Sequence, residues 1–351
     1  MRIFKRFGLY VLAVVLTVVL VSAALIVPWR NMPIEAHDHA LRARLAGQID
    51  TLIIGQSYAM NGIMPQKLDE KIGTQTYNLC GSLMPIYGQK YMVEKELARN
   101  PVKHVIVEIT PDTFTSDERN TYGNGDSYIV ARLDSLGEQL DYLLRHVQPT
   151  DWPNIYARML MQSMRTAAYA LLGRTELLDE NNMGFIPLDA EDVSLDPDTA
   201  RTNYVLMSIF NNPREENIRE YEELIQLCKQ AGCDVTLVYT PVSHAKVWQL
   251  YDQDAFYDWA LQLAQKHDVP LFDFNLLKSR YALFSDETSF SDENHLSGEG
   301  AEIFSGAMAD VLLRHRAGED VSPLFYVGYE EAIRDSVYWE ADRRKRGLAF
   351  P

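Results

Sequence analysis

The sequence predicts an α/β fold: a three-layer sandwich around a five-stranded parallel sheet, with an N-terminal transmembrane helix and a helical insertion after the third strand. Three observations predict it. Short runs rich in Val and Ile alternate with longer runs of helical period, the order that covers both faces of a parallel sheet with helices. Most of the short runs are apolar rather than alternating, as strands buried on both faces must be. One connection runs to roughly a hundred residues, where about 2–6 are usual, and so reads as an insertion.

The strands expected in order are Ile49 to Ile54 (IDTLII), Thr76 to Leu79 (TYNL), Val102 to Ile109 (VKHVIVEI), Asp234 to Tyr239 (DVTLVY) and Val269 to Phe272 (VPLF). Helices are expected from Pro65 to Ile72, Tyr87 to Arg99, Glu215 to Ala231, Gln253 to His267 and Gly298 to His315. In the last, Ala301, Phe304, Ala307, Met308, Val311 and Leu312 recur at spacings of three and four, which makes one apolar stripe facing a sheet. Gly232 sits just past the Glu215 helix as its stop signal. Within the insertion, two helical patterns run from Tyr128 to His146 and from Trp152 to Leu172, followed by an acidic loop from Asp179 to Asp198.

At the N-terminus, Gly8 to Val27 carries no charge over twenty residues, about 30 Å of helix and enough to span a bilayer. Arg2, Lys5 and Arg6 precede it and place the N-terminus inside, so everything after Trp29 is expected outside the cytoplasm. Ser22, Ala23 and Ala24 would serve a cleaved signal peptide. The apolar run continues through Val27, however, beyond the length of about 7–15 residues of a signal core, which favours an uncleaved anchor. The expected organisation is therefore 1–29 as cytoplasmic tip and anchor, 30–48 as juxtamembrane linker, 49–315 as the α/β domain with insertion 116–212, and 316–351 as a C-terminal extension.

Composition excludes several classes. With 47% apolar and 23% charged residues, the chain is that of a globular protein. A formal charge of -16 argues against nucleic-acid binding, which needs a basic face. Neither a metal nor a cofactor is expected. Cys80, Cys228 and Cys233 make no zinc pattern, and Cys228 with Cys233 read as two buried thiols, a bridge between them being the alternative outside the cytoplasm. His37 and His39 read as solvated linker residues. In the loop DENNMG, Asp179, Asn181 and Gly184 occupy calcium-loop positions, but Met183 and Ala190 stand where ligands are required, so a solvated acidic loop or substrate-side cap is expected instead.

The chemistry-bearing residues lie at the two ends of the domain. The first strand ends IIGQSYAMNG, placing Ser57 just past its carboxyl end, where open α/β sheets bind ligands. Gly55 lets that turn tighten. The segment Phe290-Ser291-Asp292-Glu293-Asn294-His295-Leu296-Ser297 follows the last strand and emerges at the same edge. Asp292 and His295, three apart, let one turn hold a carboxylate against Nδ1 and leave Nε2 for Ser57. Read as structure alone, Ser57 caps the following helix and Ser297 caps the last one.

A strand-end Gly-x-Ser with an Asp-x-x-His before the terminal helix resembles the SGNH, or GDSL, hydrolase superfamily, from about Ile49 to Leu313 without the insertion. The resemblance implies a flavodoxin-like three-layer core, Ser57 as nucleophile, His295 as general base and Asp292 as its partner. Tyr77-Asn78-Leu79-Cys80-Gly81-Ser82 resembles the second sequence block and implies the Gly81 N–H as an oxyanion donor beside that of Ser57. Two departures stand out: Gln56 replaces the usual acid of the first block, and Ile109-Thr110-Pro111-Asp112-Thr113-Phe114 lacks the Gly-x-Asn of the third. Asn78 and Thr110 are the candidate replacement donors, and Gln56 is grouped with the substrate-side residues.

With the anchor and insertion, the chain is similar to the extracytoplasmic branch that contains the D-alanyl-lipoteichoic acid (DltD-like) and alginate-acetylation proteins. That similarity implies O-acyl transfer or ester hydrolysis on a cell-envelope glycopolymer or lipid-linked substrate, alongside a polytopic membrane O-acyltransferase. The alternative is a non-catalytic envelope module that binds glycopolymer or scaffolds the transferase. His244 in YTPVSH reads as a loop histidine near the same edge, and Arg343-Arg344-Lys345-Arg346 as a solvated tail.

Overall fold

The computed structural model describes residues 41–115, 124–159, 182–194, 212–249 and 253–336, with residues 8, 10–14, 16, 17, 38, 161 and 210. Its centre is a five-stranded parallel sheet of order β2-β1-β3-β4-β5. The strands are β1 (Thr51–Ile54), β2 (Thr76–Asn78), β3 (His104–Glu108), β4 (Asp234–Tyr239) and β5 (Leu271–Asp273). The register aligns Thr51 with Thr76 and His104, His104 with Asp234, and Tyr239 with Asp273. All carboxyl ends therefore open on one edge.

Alternation along the strands builds two cores. Leu52, Ile54, Val105 and Val107 face one side, and Ile53, Ile106 and Val238 the other. The first side is covered by α3 (Ile86–Arg99), α7 (Glu215–Gln230) and α9 (Gln253–His267), which contribute Met92, Leu224 and Leu263. The second is covered by α1 (Ser57–Gly62), α2 (Pro65–Ile72) and α11 (Gly298–Arg316), which contribute Ala59, Leu68, Phe304 and Met308. Between β3 and α7 lie α4 (Pro111–Thr115), α5 (Asn124–Arg132) and α6 (Leu136–His146), and a further helix occupies 152–159. Further short helices among the described residues are α8 (His244–Gln249), α10 (Arg280–Leu283) and α12 (Tyr329–Arg334).

Where the periodicity predicts one helix from Tyr128 to His146, the chain makes two. Ser135 accepts from the Glu138 N–H at 3.2 Å and the Glu138 carboxylate accepts from the Asp134 N–H at 3.0 Å. This reciprocal cap starts α6 afresh, and its residues outweigh a continuous apolar stripe. Most of the Gly8–Val27 run lies outside the described residues, and among those that are described no helix is long and apolar enough to cross a membrane. His37, His39, Asp179, Asn181 and Arg343 to Arg346 also lie outside them.

Part of the expected linker packs into the domain. Leu41 and Leu45 enter the core, and Arg42 is buried with Asp38 and Glu96, at 3.0 and 2.6 Å. At the other end, Tyr326 donates its N–H to the Leu276 carbonyl at 2.8 Å, and the Tyr329 hydroxyl donates to Asp273 at 2.6 Å. The start of the C-terminal extension thus docks beside β5.

The described part of the acidic loop, 182–194, runs as a strap across the carboxyl edge. It accepts from the Asn78 N–H at Met183 O (2.9 Å), and its Ile186 N–H donates to the Met60 carbonyl of α1 (3.2 Å). Further along, the Glu191 N–H donates to Phe290 O at 2.9 Å and the Val193 N–H to Asp286 O at 3.0 Å. Gly184 makes the crossing possible: its φ is +86°, and a Cβ there would lie 2.0 Å from Asn78 O. Gly184→Ala is expected to destabilise the fold by about 2 kcal/mol or more, through left-handed strain plus this clash. Chemical denaturation followed by circular dichroism measures it.

Candidate active site

Ser57 is the first residue of α1, directly after the Gly55-Gln56 turn at the end of β1. Its amide and that of Tyr58 lie in the first helical turn, where no intrahelical acceptor exists. His295 sits in a tight loop closed by the Phe290–Leu296 bridge and by the Ser291 N–H donating to the His295 carbonyl at 2.9 Å. Ser297 caps α11 through the Gly300 N–H at 3.1 Å, so the expected capping role holds the loop's exit.

These two segments, 238 positions apart in sequence, meet at His295 Nε2 and Ser57 Oγ, 2.8 Å from one another. On the far side of the ring, Nδ1 lies 2.7 and 2.9 Å from the two Asp292 carboxylate oxygens. A carboxylate only accepts, so the ring proton belongs on Nδ1, and Nε2 is left to accept from the Ser57 hydroxyl. Asp292 is fixed in turn by the backbone N–H groups of Asn294 and His295, at 2.7 and 2.9 Å. Partial burial opposes ionisation of Asp292, but the imidazole and these amides outweigh it and hold the carboxyl below its ordinary value. The Tyr58 ring lies against the imidazole, centroids 5.3 Å apart, and its hydroxyl donates to Asp112 at 3.0 Å. Burial and that carboxylate push the Tyr58 phenol far up.

The expected oxyanion donors fare unequally. Asn78 is fully buried and its side chain is spent: Nδ2 donates to Ala59 O at 2.8 Å and Ile63 O at 2.9 Å, and Oδ1 accepts from the Cys80 N–H. It ties α1 to β2 rather than facing a substrate. Thr110 is likewise buried, its hydroxyl paired with that of Thr113 at 2.9 Å inside the start of α4. Strand-end polar residues satisfy neighbouring backbone first, because a buried unmade hydrogen bond costs about 1–3 kcal/mol. Gly81 reaches the turn, but its N–H points at Gly55 O across a long 3.4 Å. Gln56 donates its backbone N–H to Glu108.

Sequence reasoning missed three groups here. Glu108, the last residue of β3, is buried beneath the Ser57 turn. Asp112 anchors Tyr58. Arg132, from the insertion, donates to Leu79 O at 3.1 Å and Cys80 O at 2.7 Å and so holds the loop that carries Gly81. The available signal was Glu108 itself, an acid directly after the apolar run Val105-Ile106-Val107 of the central strand. His244 is nearly buried under the Tyr281 and Phe290 rings, and burial lowers its imidazole to about 3. Among the described residues no group of side chains could hold a metal ion, and Cys80, Cys228 and Cys233 are free thiols.

No protein-family model matches the chain, and no curated protein matches it. Among solved structures, a Streptococcus pneumoniae chain provisionally described as a platelet activating factor aligns with TM-score 0.40 and 13% identity, covering 85% of this chain and 99% of that one. A Bacteroides fragilis NCTC 9343 chain provisionally described as an acylhydrolase aligns with TM-score 0.35 and 9% identity, over 80% of this chain and 94% of that one. Both likenesses lie below the level at which a shared fold speaks to a shared activity.

Proposed function

We propose that this chain is a serine-dependent acyl-transfer enzyme. The observation that carries the reading is the relay from Asp292 through His295 to Ser57, with contacts of 2.7 and 2.8 Å. In this reading Ser57 Oγ attacks an ester or thioester carbonyl while its proton passes to His295 Nε2. The tetrahedral oxyanion is met by the Ser57 N–H and by the Gly81 N–H, whose long bond to Gly55 O is easily exchanged for a charged acceptor. Collapse expels the leaving group, which takes the proton from Nε2, and leaves an acyl-enzyme. A second hydroxyl, or water, then attacks with His295 again as base.

The substrate side of the proposal rests on the sequence. The uncharged Gly8–Val27 run behind Arg2, Lys5 and Arg6 supports a single-pass anchor with the domain outside the cytoplasm. The motif order and insertion support an envelope glycopolymer or lipid-linked ester as substrate, handled beside a polytopic membrane O-acyltransferase. A second reading, a non-catalytic envelope module, draws on Asn78 and Thr110 being committed elsewhere.

A fluorophosphonate probe separates the two. Labelling of the wild type that disappears in Ser57→Ala, with both proteins equally folded by circular dichroism, is the expected outcome. Folded wild-type protein that takes no label would leave the non-catalytic module standing.

A further inference from the structure

The residue that the relay leaves unexplained is Glu108. Its carboxylate lies at the carboxyl end of β3, next to β1, with no solvent contact to speak of: the residue is 2% exposed. Both of its oxygens accept from the nucleophile segment. Oε2 takes the Gln56 N–H, and Oε1 takes the Ala59 N–H at 3.1 Å. The two bonded amides bracket Ser57 and Tyr58, whose own N–H groups are left for the site. Space for the carboxylate is made by Gly55, where a Cβ would lie 2.3 Å from both Glu108 Cβ and Oε2.

We propose that Glu108 is a positioning residue for the Ser57 turn: its carboxylate grips the amides on either side of the serine and thereby sets where Ser57 Oγ and the Ser57 N–H point. This rests on the acyl-transfer reading above. The grip is strongest in the ionised form, because a carboxylate accepts at both oxygens with full charge, whereas protonation makes one oxygen a weak acceptor and an amide turns its NH2 donor toward one of the N–H groups.

The surroundings make this grip sensitive to pH. Among the described residues, the titratable groups facing Glu108 are Asp112 and Tyr58 at the site, Cys80 after β2, Tyr221 of α7 and Tyr239 of β4, with no cation among them. Burial raises the Glu108 carboxyl to about 8, against the pull of the two amides and with help from Asp112. Burial also pushes the Cys80 thiol and the three phenols up, so these stay protonated through the same range. The turn is then fully gripped only on the alkaline side of about pH 8.

The sign for stability is opposite to that for activity. A carboxyl whose native pKa is raised from 4.5 to about 8 favours the fold while protonated, and that contribution is lost as pH rises through about 8. The residue therefore costs stability under the conditions in which it positions Ser57, as functional carboxylates held in apolar surroundings do.

The test compares wild type with Glu108→Gln, measuring the rate of Ser57 acylation by a fluorophosphonate and by p-nitrophenyl acetate from pH 6 to 10. Wild type is expected to show an ionisation near pH 8, and Glu108→Gln to lose it. At pH 9 the variant should acylate about 10²-fold more slowly, the cost of a small misplacement of a reacting atom. Its Tm relative to wild type should rise between pH 6 and pH 9 as the wild-type carboxyl ionises, while the rate profile is the readout that a purely structural role would not move. A variant with wild-type rate and profile overturns the inference while leaving the acyl-transfer reading intact. If Glu108→Gln does not fold, the wild-type profile decides, and a profile with no ionisation near pH 8 overturns the inference. Wild-type protein that never reacts at Ser57 overturns both.

Discussion

Replacing His295 with alanine is expected to slow acylation of Ser57 by about 10⁶-fold, because the hydroxyl loses the acceptor 2.8 Å away and, among the described residues, no other side chain hydrogen-bonds it. The measurement is kcat/KM for p-nitrophenyl acetate, with labelling rate as a second readout. Asp292→Asn should cost less than His295→Ala. Its carboxylate side chain is 53% exposed, so water can partly take its place against Nδ1, although the amide can also invert the tautomer. The double variant Ser57→Ala/His295→Ala should be no slower than the worse single one, since the two act as one unit. Additive losses would mean that His295 works independently of Ser57, and the relay would then be structural.

Arg42→Ala is expected to cost about 3–5 kcal/mol of stability, the range for breaking a buried ion pair by removing one partner. Arg42 is 2% exposed and binds Asp38 at 3.0 Å, Glu96 at 2.6 Å and the Arg132 carbonyl. Without it, the two buried carboxylates keep a more distant cation each, Arg132 at 3.6 Å from Asp38 and Arg99 at 3.6 Å from Glu96, beside the neutral Tyr77 hydroxyl and Asn100 amide. Burial opposes ionisation of Asp38, but Arg132 and Arg42, with the Tyr77 hydroxyl, outweigh it and hold the carboxyl below its ordinary value. Because that pKa is depressed in the fold, the contribution is complete above about pH 4 and is lost as pH falls below it. The gap between wild type and variant should accordingly narrow in acid. Urea denaturation at pH 7 and pH 3 checks both statements, and an equal gap at the two values would show that Arg42 acts through packing alone. Acylation should slow as well, since Arg42 seats Arg132, which seats the loop bearing Gly81.

Much of the architecture is legible in local pattern. The bounds of β4, α2 and α9 coincide with the expected runs, because each combines an uninterrupted period with a clear end: Pro65 opens α2 and Gly73, at φ +75°, closes it. Asp292 with His295 is also legible, since a separation of three residues suffices to bring a carboxylate to an imidazole within one loop. The division between α5 and α6 is missed because a capping pair of two side chains, Ser135 and Glu138, outweighs a nineteen-residue trend, and periodicity averages over just such local signals.

Pattern along the chain suffices for the parallel α/β order, for the edge at which the strand ends gather, and for naming Ser57, Asp292 and His295, which the fold brings within hydrogen-bond distance. Those depend on period, on spacing and on the rule that all strands of a parallel sheet end on one side. The use of the remaining polar groups depends on packing between distant segments. Asn78 and Thr110 carry the right chemistry at the right edge, but their donors are claimed by Ala59, Ile63 and Thr113, partners set by how α1 and α4 pack. Glu108 reads as the end of a strand, yet it sits under the serine turn because β3 lies beside β1 and Gly55 leaves room. A hydrogen bond is settled by angstroms between segments distant in sequence, and pattern along the chain does not contain that distance.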